Sequence, residues 1–264
     1  MGARIITIAN QKGGVGKTTT AVNLSAALAR NGKGVLLVDL DPQGNATTGS
    51  GVEKRDLSLG TYEALFDASA ALLDQAIVRS KSGGFDVLGA NNRLVGAEVE
   101  LVKQNARESK LKEALRLIQD RYDYIFIDSP PTLTLLTING LVAADYVLVP
   151  IQCEYYALEG ISDLVETIKT IKTSGINHRL MIIGVVRTLY DNRSNLSKEV
   201  SAQLEYYFKD DLFKTIIPRA VKLAEAPSHG LPIMAYDKYS KGAKSYLLLA
   251  KELHKKIKKL NKAG

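Results

Sequence analysis

The sequence predicts a three-layer α/β fold, a mostly parallel twisted sheet with helices on both faces. Three observations predict it. Short apolar runs recur and do not alternate with polar residues, as in Val35-Leu36-Leu37-Val38 and Ile125-Phe126-Ile127. That is the pattern of strands covered on both faces. The runs are followed by turns and helical periodicity, an alternation that argues for parallel connections. A glycine-rich loop joins the first such run to the first helical stretch.

Strands are expected at 4–9, 34–39, 85–89, 124–128, 146–151, 180–186 and 212–217. Helices are expected at 18–31, 60–71, 94–121, 133–143, 160–174, 196–208 and 243–260. The longest polar break is 41–58. No repeat, low-complexity tract or Gly/Pro/Ser-rich linker divides the chain. Residues 1–264 are therefore expected to form a single domain with a basic amphipathic helix at about 243–260. A chain of this length buries roughly 75% of its unfolded surface.

A hydrophobic share of 45% and a charged share of 24% exclude a mostly disordered chain. One cysteine, Cys153, excludes an internal disulfide framework and a four-Cys zinc site within one chain, and points to a reducing compartment. It reads as a buried small residue. His178, His229 and His254 are scattered without metal spacing. Neither a Gly-x-Ser-x-Gly elbow nor an HExxH motif is present. The start of the chain lacks a long apolar segment and a cleavage site, and no run of ~18 apolar residues occurs. A cytoplasmic protein with no membrane partner is expected. The net charge of +7 is uneven: residues 238–264 hold nine lysines and one acidic residue, a local +8, leaving −1 for residues 1–237. A basic end suits nucleic acid, an anionic membrane or a solvated helix face.

After the first strand comes Lys12-Gly13-Gly14-Val15-Gly16-Lys17-Thr18-Thr19, followed by a helix. Glycines let backbone N–H groups curl around phosphate oxygens. The helix start adds its positive dipole end. Lys17 can reach the β- and γ-phosphates, and the Thr18 hydroxyl can bind Mg²⁺. Two later strands end in acidic segments, Asp39-Leu40-Asp41-Pro42-Gln43-Gly44-Asn45 and Asp128-Ser129-Pro130-Pro131. Ligands of parallel sheets sit beyond the carboxyl ends of the strands, so these aspartates are placed to converge on a bound nucleotide. One carboxylate would hold a Mg²⁺-bound water and another would position the attacking water. Helix capping is the other common use of such an Asp.

The loop departs from the ordinary phosphate-loop pattern. Gln11 stands where a glycine is expected five residues before Gly16, and an extra lysine, Lys12, precedes Gly13. This form resembles the deviant Walker A motif of the ParA/MinD family of ATPases. The resemblance implies a P-loop NTPase fold with ATP and Mg²⁺ as cofactors, and Lys12 acting across a dimer interface on the partner's nucleotide. It also implies that residues 12–19 cradle the nucleotide, with Thr19 at the α-phosphate. Asp41 would orient the attacking water, Asp128 would lie near Mg²⁺, and Asp39 would be an acidic position beside the phosphates that assists indirectly, through the groups around it. Mg²⁺ would be held by Thr18 and, through water, by Asp41 and Asp128.

Three more segments, 150–160, 190–193 and 217–228, look like the ParA/Soj branch, and the match runs from Arg4 to about Leu253. With three residues before the first strand, no N-terminal helix-turn-helix domain is expected. The branch implies an ATP-driven homodimer that binds double-stranded DNA without sequence preference. It also implies hydrolysis to ADP and phosphate, weak alone and stimulated by a ParB-type partner, in chromosome or plasmid segregation. The positions matching the family's DNA-facing residues are Arg193, Arg219 and Lys222, with Lys238, Lys241 and Lys244 as further candidates. Such residues would neutralise phosphates, giving salt-sensitive affinity without sequence readout. Pro218 and the residues up to Lys222 would contact adenine through backbone atoms.

On a helix of ~100° per residue, Tyr246, Leu249, Ala250, Ile257 and Leu260 fall on the side of Leu253. Lys251, Lys255, Lys258, Lys259 and Lys262 cluster opposite. Such a helix can pack on the core with a solvated face, touch DNA with its lysine ridge, or lie on a membrane as in the MinD branch. The functional alternatives are a DNA-partitioning ATPase, a membrane-associated positioning ATPase, and a metabolic enzyme using ATP on a small substrate. The last would need its own acid–base constellation, which the sequence does not show.

Overall fold

The computed structural model describes residues 2–155, 157 and 159–263. Tyr156 and Leu158, within the 150–160 segment matched above, lie outside the described residues. The chain runs β1 (Arg4–Ile8), α1 (Lys17–Arg30), β2 (Val35–Asp39), α2 (Asn45–Gly49), α3 (Thr61–Phe66), α4 (Ala70–Ala76), β3 (Ile77–Ser80) and β4 (Phe85–Leu88). It continues α5 (Ala97–Leu101), α6 (Lys110–Arg116), β5 (Tyr124–Asp128), α7 (Leu135–Ala143), β6 (Tyr146–Gln152), α8 (Glu159–Thr173) and β7 (Met181–Tyr190). It ends α9 (Asn195–Phe208), β8 (Leu212–Pro218), α10 (Val221–Glu225), α11 (Ile233–Tyr236) and α12 (Lys241–Ala263).

The strands form one sheet of order β3-β4-β2-β5-β1-β6-β7-β8. It is parallel except for β3, which pairs antiparallel with β4. The apolar strands serve two cores at once. Ile5, Leu36, Ile125 and Val147 face one layer with α3 to α8, whereas Ile6, Leu37, Phe126 and Leu148 face the other with α1 and α12. This two-sided burial is why these strands read as unbroken apolar runs. The register places Ile8, Asp128 and Asp39 side by side at the carboxyl edge. The chain leaves β1 there for the glycine loop, so the sheet levels that loop with both aspartate-bearing strand ends.

The structure also differs from the sequence expectations. The helix expected at 94–121 is broken into a 3-10 turn at Asn92–Gly96, α5, α6 and a second 3-10 turn at Gln119–Arg121. Buried Asn139 of α7 sets part of this break: its amide nitrogen donates to the Arg107 carbonyl (2.7 Å) and its oxygen accepts from Leu111 N–H (3.1 Å). The stretch expected at 60–71 stops at Phe66, and α4 starts afresh after Ser69, whose hydroxyl accepts from Leu72 N–H at 3.2 Å. Strand β3 and the short helices α2, α10 and α11 were not expected; four or five residues are too few to show a period. Helix α12 runs beyond the expected 243–260 at both ends. Tyr246, Leu249, Ala250, Leu253 and Ile257 are buried, while Lys251, Lys255, Lys258, Lys259 and Lys262 are exposed. Among the described residues no helix is long and apolar enough to cross a membrane.

Candidate functional site

The glycine loop is shaped for an anion. Gly14 and Gly16 adopt positive φ of 75° and 84°, which a side chain would strain. Gly16 stands at the N-terminus of α1 with no side-chain cap, so the first-turn N–H groups remain open to a ligand. The loop is locked from behind by Thr188 of β7, whose hydroxyl donates to the Val15 carbonyl at 2.7 Å. In front, Asn10 accepts from Lys12 N–H (3.0 Å) while its amide donates to the Pro150 carbonyl (2.8 Å).

Lys17 is buried, and its ammonium donates to the Lys12 carbonyl at 3.1 Å. Burial pushes its pKa down; the charges of Asp128 and Asp41 oppose that shift. Asp128 is wholly buried, and both carboxylate oxygens lack a well-formed hydrogen bond. Its pKa is driven well above the carboxylate range, first by burial and then by the neighbouring Asp39, with the Thr18 hydroxyl favouring the charged form. A buried acceptor left unpartnered beside a threonine hydroxyl and a lysine fits a site for a divalent cation on a polyphosphate. Among the described residues no group of three or more His, Cys, Asp or Glu forms a metal cluster. Mg²⁺ on a polyphosphate needs only one or two protein groups besides phosphate and water, and Thr18 and Asp128 are the groups placed to supply them.

Asp41 sits at the same edge, nearly buried, with its carboxylate accepting from Gln43 N–H at 2.9 Å. Asp39 is fully buried, and burial raises its pKa to about 6 although Thr47 donates to it. Behind the loop lies a cavity of about 390 Å³, lined by Gly16, Thr19, Thr188, Arg219, Ala220 and Tyr246 among others. Pro218 ends β8 between the lining residues Ile217 and Arg219. The cavity's apolar walls and its opening onto the glycine loop suit a flat base attached to phosphates.

A family profile described as an AAA domain matches residues 3–182. The sporulation initiation inhibitor protein Soj of Bacillus subtilis is 53% identical over 250 residues, covering 95% of this chain and 98% of Soj. The chromosome partitioning protein ParA of Myxococcus xanthus is 49% identical over 253 residues, 96% of this chain and 88% of that one. The chain belongs to the ParA/Soj family of chromosome-partitioning ATPases. A crystal structure of cobyrinic acid a,c-diamide synthase from Mycobacterium smegmatis, with bound ATP analog and magnesium, superimposes with a TM-score of 0.81. It is 37% identical and covers 94% of this chain and 93% of that one.

In this ParA/Soj chain the expected nucleotide residues come together: residues 12–19, Asp41 and Asp128 share one edge of the sheet. Lys12 is not free. Its ammonium pairs with Glu154, just after β6, at 2.9 Å, and Gln152 donates to the other Glu154 oxygen. Sequence reasoning missed Glu154, Thr47 and Thr188, whose partners lie eight to more than a hundred residues away. The candidate DNA residues differ among themselves, and Arg219, just past the end of β8, also lines the cavity behind the glycine loop. Arg219, Lys238, Lys241 and Lys244 are exposed. Arg193 is bound through two nitrogens to Asp191, at 2.8 and 3.0 Å, which holds the Asp191 carboxyl down at about 2. Lys222 pairs with Glu225 at 2.9 Å and lies over the Tyr236 ring. Cys153 is buried, as expected, and burial pushes its thiol up to about 11.

Proposed function

We propose that this chain is a DNA-partitioning ATPase whose ATP-bound homodimer binds double-stranded DNA without sequence preference. Hydrolysis, stimulated by a ParB-type partner, releases the dimer and so supports chromosome or plasmid segregation on the nucleoid. The observation that carries the nucleotide half is Asp128, wholly buried with no well-formed hydrogen bond on either oxygen, beside Lys17, Thr18 and Asp39. A carboxylate so placed is costly unless a cation completes it. Thr18 and Asp128 would hold Mg²⁺, which when bound would neutralise phosphate charge.

The chain's own groups do the rest. Gly13 to Thr19 present N–H groups to the phosphates, and Lys17 brings a fixed positive charge to the site where negative charge develops. Asp41 orients the attacking water. Lys12 leaves Glu154 and crosses to the partner's nucleotide, which ties dimerisation to ATP. The DNA half is supported by the exposed Arg219, Lys238, Lys241 and Lys244 and by the exposed lysine ridge of α12. Their charge suits phosphate neutralisation, whose strength falls steeply with salt.

DNA binding measured with ATP, with ADP and without nucleotide across a salt series tests the proposal. Binding with ATP alone, weakening steeply as salt rises, is expected; indifference to nucleotide overturns it. Asp41→Ala should keep ATP binding and the dimer but lose hydrolysis, with and without the partner.

A further inference from the structure

The loop that carries Asp41 is tied down at both ends by one side chain. Asp39, the last residue of β2, has no exposed surface. Its Oδ2 accepts from both the backbone N–H and the hydroxyl of Thr47, each at 2.7 Å. Its Oδ1 accepts from the N–H of Asp41 at 3.2 Å. Thr47 is equally buried, and its hydroxyl oxygen also accepts from Ala90 N–H at 2.9 Å. Within the loop, Gly44 N–H donates to the Asp41 carbonyl at 2.9 Å. The segment from Asp41 to Thr47 is therefore a closed ring around a carboxylate that is anchored in the sheet beside Asp128.

Three hydrogen bonds occupy both Asp39 oxygens, all with groups of the loop. The carboxylate is thus committed to the loop, and the chemistry at the edge is left to Asp41 and Asp128. A water held for in-line attack tolerates little displacement: a 1 Å error can cost ~100-fold in rate. We infer that Asp39 is a positioning residue for hydrolysis, acting through its clamp on Thr47 and on the Asp41 backbone to hold the Asp41 carboxylate at the point of attack. The inference rests on the reading of Asp41 as the residue that orients the water.

The test uses the full chain with Thr47→Val, Thr47→Ser, Asp41→Ala and the Asp41→Ala/Thr47→Val pair. Valine keeps the shape of threonine but removes the hydroxyl donor; serine restores it. ATP turnover and the dissociation constant of a fluorescent ATP analogue are read for each. Thr47→Val should lower kcat by ~10- to ~100-fold while the dissociation constant stays within ~3-fold, and Thr47→Ser should recover most of the rate. The double variant should be no slower than Asp41→Ala, because both changes remove the same function. If Thr47→Val fails to fold, Thr47→Ala carries the same comparison. Normal kcat in the hydroxyl-less variant overturns the inference. So does a parallel loss of binding and rate that serine does not rescue, which would mark a merely structural residue. A fully active Asp41→Ala chain would instead overturn the reading of Asp41, and the inference with it.

Discussion

Replacing Asp128 by Asn should raise stability and remove function at once. The side chain keeps its shape and loses its charge. In the nucleotide-free chain that charge is wholly buried, has no well-formed hydrogen bond and lies beside Asp39 in the sheet register. Asparagine keeps an acceptor oxygen and removes only the charge, whose burial costs more than that of a neutral acceptor, so the variant should gain about 2 kcal/mol where the carboxyl is ionised. For 264 residues the unfolding entropy near the midpoint is about 0.55 kcal/mol/K, and the expected rise in Tm is ~4 °C. A non-hydrolysable ATP analogue with Mg²⁺ at 100 times its dissociation constant adds about 2.7 kcal/mol to a chain that binds it, or ~5 °C for the wild type. The variant should gain little, so the order of the two melting temperatures should invert or close when the ligand is added. Thermal melts by circular dichroism across a pH series, with EDTA and then with Mg²⁺ and analogue, read both numbers, the variant's advantage growing as pH rises because the Asp128 pKa is raised in the fold. The reasoning fails if the variant gains nothing on the wild type as pH rises without ligand, or if it gains the full ligand-induced rise.

Other outcomes follow from single contacts. Lys17→Ala should abolish binding of a fluorescent ATP analogue, since no other buried ammonium faces Asp128 among the described residues. Glu154→Gln should free Lys12; a partly exposed ion pair is worth about 0.2–1 kcal/mol. The ATP concentration giving half-maximal dimer by analytical ultracentrifugation should then fall ~1.4- to ~5-fold, and an unchanged or higher value would count against the pairing as a restraint. The raised pKa of Asp39, about 6, means that the nucleotide-free fold binds its proton more tightly than the unfolded chain does. Its contribution therefore declines as pH rises from about 4 through about 6. Urea denaturation at a series of pH values should show the wild type losing ground to Asp39→Asn over that window, by roughly 3 kcal/mol at most, and a flat difference would refute the shift.

Much of the site was legible because its parts are local. The strand before Asn10, the glycines and Gly16-Lys17-Thr18 lie within one stretch, and Asp39, Asp41 and Asp128 announce themselves as acids at the ends of apolar runs. The parallel sheet was legible because both faces of each central strand are covered. What was hidden depends on the fold bringing distant groups together. Glu154 reaches Lys12 across 142 residues, and Thr188 locks Val15 across 173. Asn139 ends a helical pattern from another helix, against the propensity of the residues around 102–109. Thr47 sits only eight residues from Asp39, but its sequence neighbours read as a polar loop, and nothing in their spacing shows which oxygen the hydroxyl meets. The charge map was half legible: the C-terminal lysines were countable, yet Lys256 donates to the Asp210 carbonyl and pairs with Asp211 at 3.2 Å, so it belongs to packing.

The cavity wall offers a route by which nucleotide binding and the proposed DNA binding would be linked. Arg219 lines the space behind the glycine loop, and its N–H donates to the Tyr190 carbonyl at 2.9 Å. The same residue is exposed, so it faces the nucleotide pocket and the proposed DNA surface together. Lys244, in the first turn of α12, is also exposed but lines no part of that cavity. If charge alone mattered, Arg219→Ala and Lys244→Ala would act alike, each flattening the log–log salt dependence of DNA binding by ~0.9 for every phosphate no longer neutralised. If Arg219 couples the two sites, it must also obey reciprocity: whatever factor ATP lends to DNA binding, DNA lends to ATP binding. Arg219→Ala should then shrink the DNA-induced tightening of ATP, measured by titrating a fluorescent analogue with and without DNA, whereas Lys244→Ala should leave that ratio intact. Equal ratios in the two variants would reduce Arg219 to one more surface cation and place the coupling elsewhere.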